Sequence, residues 1–353
     1  MNLQHQKITL DRKLLYERHR LSHQQIDDFL SEKESSNYIA EKLEQLVQLH
    51  EFLYVTDKFS SEGLSFISIK GPLLSNRLYN DATYRRYRDF DFFIELPTIE
   101  MAIDILKELG YKPSSFNWPT NRRRQQLIVD HGKHISFYHP EKSTCIELHW
   151  RLFDARITRP EIIEQLIFKN LTTTEFKGRR FKVFNTEFEL LYLIIHGGLS
   201  NWFRLKWLVD IHQLLQEALI NKDKFIEITS LLKAGRMVAL CNAMIAEFFP
   251  DDKKLPVEIS RVPILKNFSL KRIYQTDNFG YNTMLESLES IWINLISFPG
   301  CRYKYDVISL HLFYTQKIDN EKIPPFSVPY YFLGINKRIF SRLRLLFKPP
   351  KLL

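Results

Sequence analysis

The sequence predicts an α+β protein, with a small mixed sheet and flanking helices followed by a larger helical C-terminal region. Residues 64–95 read as strand, glycine turn, helix, loop, strand. Residues 134–139 and 144–152 alternate apolar and polar side chains around a turn at residues 140–143, the pattern of a β-hairpin. On both sides of these strands apolar residues recur at a helical period, over 37–59 and again from 186 onward. The expected division is an N-terminal helical region over 1–62 and a sheet-bearing core over 63–185. A helical domain over 186–320 and a Pro-rich linker with a basic amphipathic tail over 321–353 complete it.

Composition bounds the function classes. The chain has 353 residues, 44% of them hydrophobic, enough for one large or two ordinary domains with a proper core. Its cysteines, Cys145, Cys241 and Cys301, are odd in number and far apart, which excludes a disulfide framework and a cysteine zinc cluster. A reduced, cytoplasmic setting is expected. The N-terminus lacks the apolar run of a signal peptide, and no stretch reaches the roughly 18 apolar residues of a membrane span. The formal net charge of +9 favours anionic partners, whether nucleotide, nucleic acid or lipid surface, without choosing among them.

The first twenty or so residues are polar and basic. The helix expected over 37–59 keeps a helical period through Leu43, Leu46, Val47, Leu53 and Tyr54, with Leu49 and Phe52 widening the stripe, and Ser60, Ser61 and Gly63 end it. Leu64 to Lys70 alternates as a strand should. It stops at Lys70-Gly71-Pro72, where Gly71 allows a tight backbone and Pro72 suits the first turn of a helix. The N–H groups at that helix start form a ready anion site.

The next strand carries Asp89 and Asp91, two residues apart and so on one face, with Phe90, Phe92 and Ile94 on the other. An isolated Asp-x-Asp is often only a solvated strand face. Two adjacent carboxylates nevertheless repel unless a proton or cation lies between them, and Mg²⁺ is the usual cation for an all-oxygen site.

After Pro97, an amphipathic helix is expected over 99–110, with Met101, Ile105 and Leu106 inward and Gly110 at its end. Residues 111–126 read as a loop or insert. Arg122, Arg123 and Arg124 there are either a solvated charge run or a patch for triphosphate or an RNA backbone. In the second hairpin strand Ile146, Leu148, Trp150 and Leu152 share one face, while Cys145, Glu147, His149 and Arg151 share the other. Cys145 and His149 lie ~13 Å apart along such a strand, which rules out a thiol–imidazole pair. A basic strand follows near 179–184. Thr186 and Glu189 then form a capping-box pair opening an apolar helix, and His196-Gly197-Gly198 makes a turn to a second helix with Trp202, Leu205, Trp207 and Asp210. Residues 219–300 are expected to be mostly helical, with a polar break at 251–254.

Lys70, Gly71, Tyr79, Arg85, Asp89 and Asp91 together resemble the nucleotidyltransferases of the DNA polymerase beta superfamily, and within it a largely uncharacterised bacterial group. The superfamily usually has Gly-Ser or Gly-Gly after the first strand; Lys70-Gly71-Pro72 departs from that and matches the bacterial group. So do Glu147-Leu148-His149-Trp150 and the run from His196 to Asp210. The similarity is good over 64–150 and looser to about 215.

The resemblance implies a polymerase beta-like core and transfer of a nucleoside monophosphate from an NTP, with release of pyrophosphate. Asp89 and Asp91 would hold two Mg²⁺ (or Mn²⁺) ions, and Glu147 would complete the acceptor-side ion and double as general base. Gly71 and the helix after it would hold phosphate, with Lys70, Ser75 and Arg85 as further nucleotide contacts. His149, His196 and Asp210 are candidate cleft or acceptor contacts, although His196 and Asp210 read equally well as satisfied polar groups between packed helices.

The acceptor stays open among small molecule, glycan precursor, protein and RNA. One rival is a catalytically inactive nucleotide- or RNA-binding protein. Another is an assembly protein at the membrane surface, since the apolar, basic tail from Tyr330 suits either an anionic membrane or the protein's own helical domain.

Overall fold

A computed structural model describes residues 10–32, 38–114, 116–154, 156–257, 262–275 and 284–313. The expected tail over 321–353 and its proposed membrane contact lie outside the described residues.

Seven strands form one mixed sheet: β1 (Ile67–Ser68), β2 (Asp89–Phe93), β3 (Lys112–Pro113), β4 (His134–Tyr138), β5 (Cys145–His149), β6 (Leu171–Phe176) and β7 (Arg179–Phe184). Their order is β3-β4-β5-β2-β1-β7-β6. β2 runs parallel to β5 and antiparallel to β1, and β4–β5 is the expected hairpin.

The alternation of side chains makes the sheet a partition between two cores. Phe90 and Phe92 of β2, Ile146 and Leu148 of β5, and Ile135 and Phe137 of β4 face one way. They pack with Phe52 and Phe59 of α3 (Tyr38–Ser61) and with Ala102 and Leu106 of α5 (Ile99–Glu108). On the other side Ile67 and Phe93 join a helical core. That core is built by α4 (Pro72–Tyr79), α8 (Thr186–Leu199), α9 (Lys206–Glu217), α10 (Lys222–Leu231), α11 (Gly235–Phe248), α12 (Pro263–Tyr274), α13 (Met284–Ser297) and α14 (Cys301–Phe313). The N-terminal helices α1 (Arg12–Glu17) and α2 (His23–Leu30) enter the same core through Leu15 and Ile26. Two further helices, α6 (Arg122–His131) and α7 (Pro160–Lys169), flank the hairpin in sequence.

Several local expectations are corrected. The regular part of the first strand is only Ile67–Ser68, because β1 has ladder partners only there. Residues 122–131 are helical rather than loop: the Asn121 side chain accepts from the Arg123 and Arg124 amides and caps α6, which places the arginine run on its first turn. On α3 the residues Leu43, Leu46, Val47 and Tyr54 face solvent, and the buried side is Glu41, Gln45, Leu49, Glu51, Phe52, Val55, Thr56 and Phe59. Met101 is likewise exposed on α5, and Ala102 and Ile103 are buried instead.

The N-cap of α8 is Asn185, whose side chain accepts from the Phe188 amide; Glu189 pairs with Arg77 instead of completing a capping box. The Gly197-Gly198 pair does not turn the chain but sits within α8, where a Cβ on Gly197 would collide with the Trp202 ring. The chain therefore uses that glycine to let the indole lie against the helix backbone.

Candidate active site

The site is built first by register. Parallel pairing sets Asp89 beside Cys145, Asp91 beside Glu147 and Phe93 beside His149. Antiparallel pairing sets His134 beside His149 and Ser136 beside Glu147. Since paired residues point to the same face, Asp89, Asp91, Glu147, His149 and His134 share one surface of the sheet.

His149 lies among the acids. Its Nε2 is 3.2 Å from Asp91 Oδ1 and 3.1 Å from Glu147 Oε2. Burial alone would lower this imidazole, but the two carboxylates outweigh that and raise it above its ordinary value. For Asp91, burial works upward, yet the His149 hydrogen bond and the Lys70 ammonium hold the carboxyl well below the usual carboxylate range. Asp89 moves the other way, raised by the protein packed around it and then by repulsion from Asp91 and Glu147. Its outer edge is open to solvent, on the side where the recess begins.

Lys70 reaches over the same surface, with Nζ 5.2 Å from the centre of the Tyr192 ring, and burial lowers its pKa against the pull of Asp91. His196 is close enough that burial and then Lys70 push its imidazole well below the ordinary value, while Asp91 pulls the other way. Gly71 caps α4 with φ 73°, in the left-handed region that favours glycine, and Pro72 is the first helical residue.

Other residues singled out in the sequence are engaged elsewhere. Ser75 is fully buried; its Oγ donates to the Asp81 carbonyl at 2.7 Å and accepts from the Arg85 amide at 3.0 Å. Arg85 and Asp210 come together as a buried ion pair, with Arg85 Nε 2.8 and 3.0 Å from the two carboxylate oxygens. Tyr79 stacks on Tyr84 and accepts a hydrogen bond from Gln25. These contacts shape the loop that leads into β2.

Sequence reasoning missed the cations. A recess of about 150 Å³ opens at Asp89 and is lined by Arg20, Arg86, Arg88, Arg204 and Lys206 with Tyr87. Burial pushes Lys206 well below its ordinary pKa, and its ammonium donates to the Arg86 carbonyl. Lys133 sits on the other side of the acids. Burial works against its charge, but Asp154, 3.0 Å away, with Glu147 and Asp91, raises it overall. These cations come from separate segments of chain, so no local pattern could have grouped them. His134 was findable: the Pro140–Ser143 turn fixes the hairpin register and sets it opposite His149.

Residues 12–250, well over half of the chain, match the family described as uncharacterised nucleotidyltransferase, and the chain belongs to that family. It is thus a transferase of the nucleotidyl class, and the seven-stranded mixed sheet with its helices has the expected α+β fold. Among solved structures, the chain is similar to the lincosamide antibiotic adenylyltransferase LnuA, bound to lincomycin, at 18% identity. That likeness covers 48% of this chain and 97% of the other at a TM-score of 0.32. No curated protein matches the chain in sequence. No helix among the described residues is long and apolar enough to cross a membrane.

Proposed function

We propose that the chain moves a nucleoside monophosphate from an NTP to an acceptor hydroxyl or phosphate, releasing pyrophosphate, with Asp89, Asp91 and Glu147 as the metal-holding carboxylates. The observation that carries this is the adjacency of those three acids on one sheet face with a cationic recess opening at Asp89. The donor set fits a hard divalent ion such as Mg²⁺ or Mn²⁺, since three carboxylates set side by side on one face offer only oxygen donors and repel one another until a cation lies between them. When bound, such ions supply acidity at the acceptor oxygen and neutralise triphosphate charge.

The chain's own residues do the rest. Arg20, Arg88 and Arg204 attract the triphosphate, Lys206 holds the Arg86 carbonyl at the same recess, and Lys70 faces the triphosphate from the Gly71 turn. Glu147 takes the acceptor proton as the bond from acceptor oxygen to the α-phosphorus forms. The bond between that phosphorus and the oxygen bridging to the β-phosphate breaks, and pyrophosphate leaves with the electron pair. His149 holds Asp91 and Glu147 in place by its hydrogen bonds.

The test is incubation with each labelled NTP and Mg²⁺, with cell extract as the acceptor pool. Label should pass to a product whose size reports the acceptor class. Asp89→Asn, Asp91→Asn and Glu147→Gln should each cut transfer by roughly a thousandfold or more, since metal stabilisation is worth several kcal/mol. The two aspartate changes combined should be little worse than either, because residues acting as a unit are not additive. NTP binding that persists in the wild type with no transfer from any base would favour the inactive-binder reading.

A further inference from the structure

We propose that His134, Glu147 and His149 form an imidazole-rich cation site beside the aspartate pair, one that takes a borderline divalent ion of the Zn²⁺ and Co²⁺ kind in preference to Mg²⁺. This deepens the transferase reading, because Glu147 serves both, but it stands on different atoms. The transfer reading needs carboxylate oxygens; this site needs two ring nitrogens.

The geometry is compact. His134 and His149 are register partners on β4 and β5, with ring centres 4.8 Å apart. Glu147 lies on the same face and reaches both, with Oε2 3.1 Å from His149 Nε2 and Oε1 3.8 Å from His134 Nε2. One donor atom from each residue falls within 4.8 Å of the other two. A tetrahedral ion with metal–ligand bonds of about 2.0–2.2 Å needs donors about 3.4 Å apart. The Glu147–His149 pair already meets that, and His134 closes the remainder with a small side-chain shift.

Both histidines also carry a buried Nδ1 with no hydrogen-bond partner among the described residues. His149 is only 5% exposed. Buried polar atoms are normally paired, and a ring that turns over presents the idle Nδ1 to an ion in place of Nε2. Neither ring is pinned from behind, so each can turn to present a nitrogen to an ion. Selectivity follows from the donors: neutral imidazole suits Zn²⁺, Co²⁺ and their neighbours, whereas Mg²⁺ prefers oxygen and keeps its waters. If His149 serves only as a cation bridging Asp91 and Glu147, with the His134 ring tilted at 43° beside it, the chain gives no imidazole-bound ion.

The experiment uses the full chain stripped with chelator and titrated with Co²⁺, followed by visible absorption. One equivalent should give tetrahedral d–d bands that persist in Asp89→Asn and in excess Mg²⁺. His134→Ala and His134→Gln should each weaken Co²⁺ binding at least about tenfold, a loss of roughly 1.4 kcal/mol. Paramagnetically shifted imidazole N–H resonances in the wild type report ligation without any variant, so ligation is read even where a variant misfolds. Absence of bands and of shifted imidazole signals, or displacement of Co²⁺ by equimolar Mg²⁺, overturns the proposal. The transfer assay is read separately. A chain that moves label with Mg²⁺ but shows no imidazole-bound Co²⁺ loses this inference and keeps the transferase reading; the opposite pair of results does the reverse.

Discussion

His19 shows what burial does to a titratable side chain that has no counter-charge. It is fully buried, and its Nδ1 accepts from the Leu205 amide at 3.0 Å, which ties the turn after α1 to the start of α9. Burial, then Arg18 and Arg204, lower its pKa to about 3. The unfolded value is about 6.5, so the native state binds this proton less readily than the unfolded state. Its contribution to stability is therefore complete above pH 6.5 and is lost progressively as pH falls towards the folded value. Between pH 6.5 and 5 the loss is about 2 kcal/mol, at 1.36 kcal/mol per pH unit. His19→Asn keeps an acceptor for Leu205 and cannot titrate, so urea denaturation of that variant should show a shallower decline between pH 7 and 5. Parallel declines would mean that His19 is not the titrating group. The sequence offered no hint of this role, since its partner lies 186 positions away.

At the scale of elements, helix existence was legible and helix orientation was not. α3 carries apolar residues on two sides, and a period of 3.6 cannot say which side meets the sheet. The buried side is the one that also carries polar groups with partners. Gln45 bonds the Tyr87 backbone, Glu51 accepts from Tyr111 and Lys142, and Glu41 accepts from the His23 amide. Buried polar residues read as surface in a sequence, so the expected stripe ran through Leu43, Leu46, Val47 and Tyr54 as well as through the buried Leu49 and Phe52. The consequence is testable by thermal melts. Leu43→Gln and Val47→Gln, at positions 57% and 62% exposed, should change stability by less than about 0.5 kcal/mol. Phe52→Ala should cost about 3–5 kcal/mol, because its ring packs against Phe90, Phe92 and Phe181. Equal effects on both sides would mean that the two faces of α3 are buried alike. The hairpin was legible for a complementary reason: its alternation and its turn together fix both face and register. That is why the same-face placements, Asp89 with Asp91 and Glu147 with His149, could be expected from the order of residues alone.

Across the whole molecule, the sheet and the helical region are joined through the Arg85–Asp210 pair, which spans 125 positions and is almost wholly removed from solvent. Both residues were candidates for ligand contact on resemblance alone, and the pairing gives each a partner within the protein. Burial works against the Arg85 charge, and Asp210 outweighs it. Such a pair adds little against an apolar replacement, but breaking one side strands a buried charge at a cost of about 3–5 kcal/mol. Asp210→Asn and Asp210→Leu should therefore each destabilise the chain by that order, measured by chemical denaturation. Arg85→Met combined with Asp210→Leu should recover most of the loss, giving a coupling energy of opposite sign to the single losses. If the pair is purely a joint, the double variant should bind NTP with nearly unchanged affinity, because the recess cations at Asp89 are untouched. A double variant that is stable yet binds NTP tenfold or more weakly would return Arg85 to the nucleotide site. The joint would then have a second role in setting the position of the loop that carries Arg86, Arg88 and Asp89.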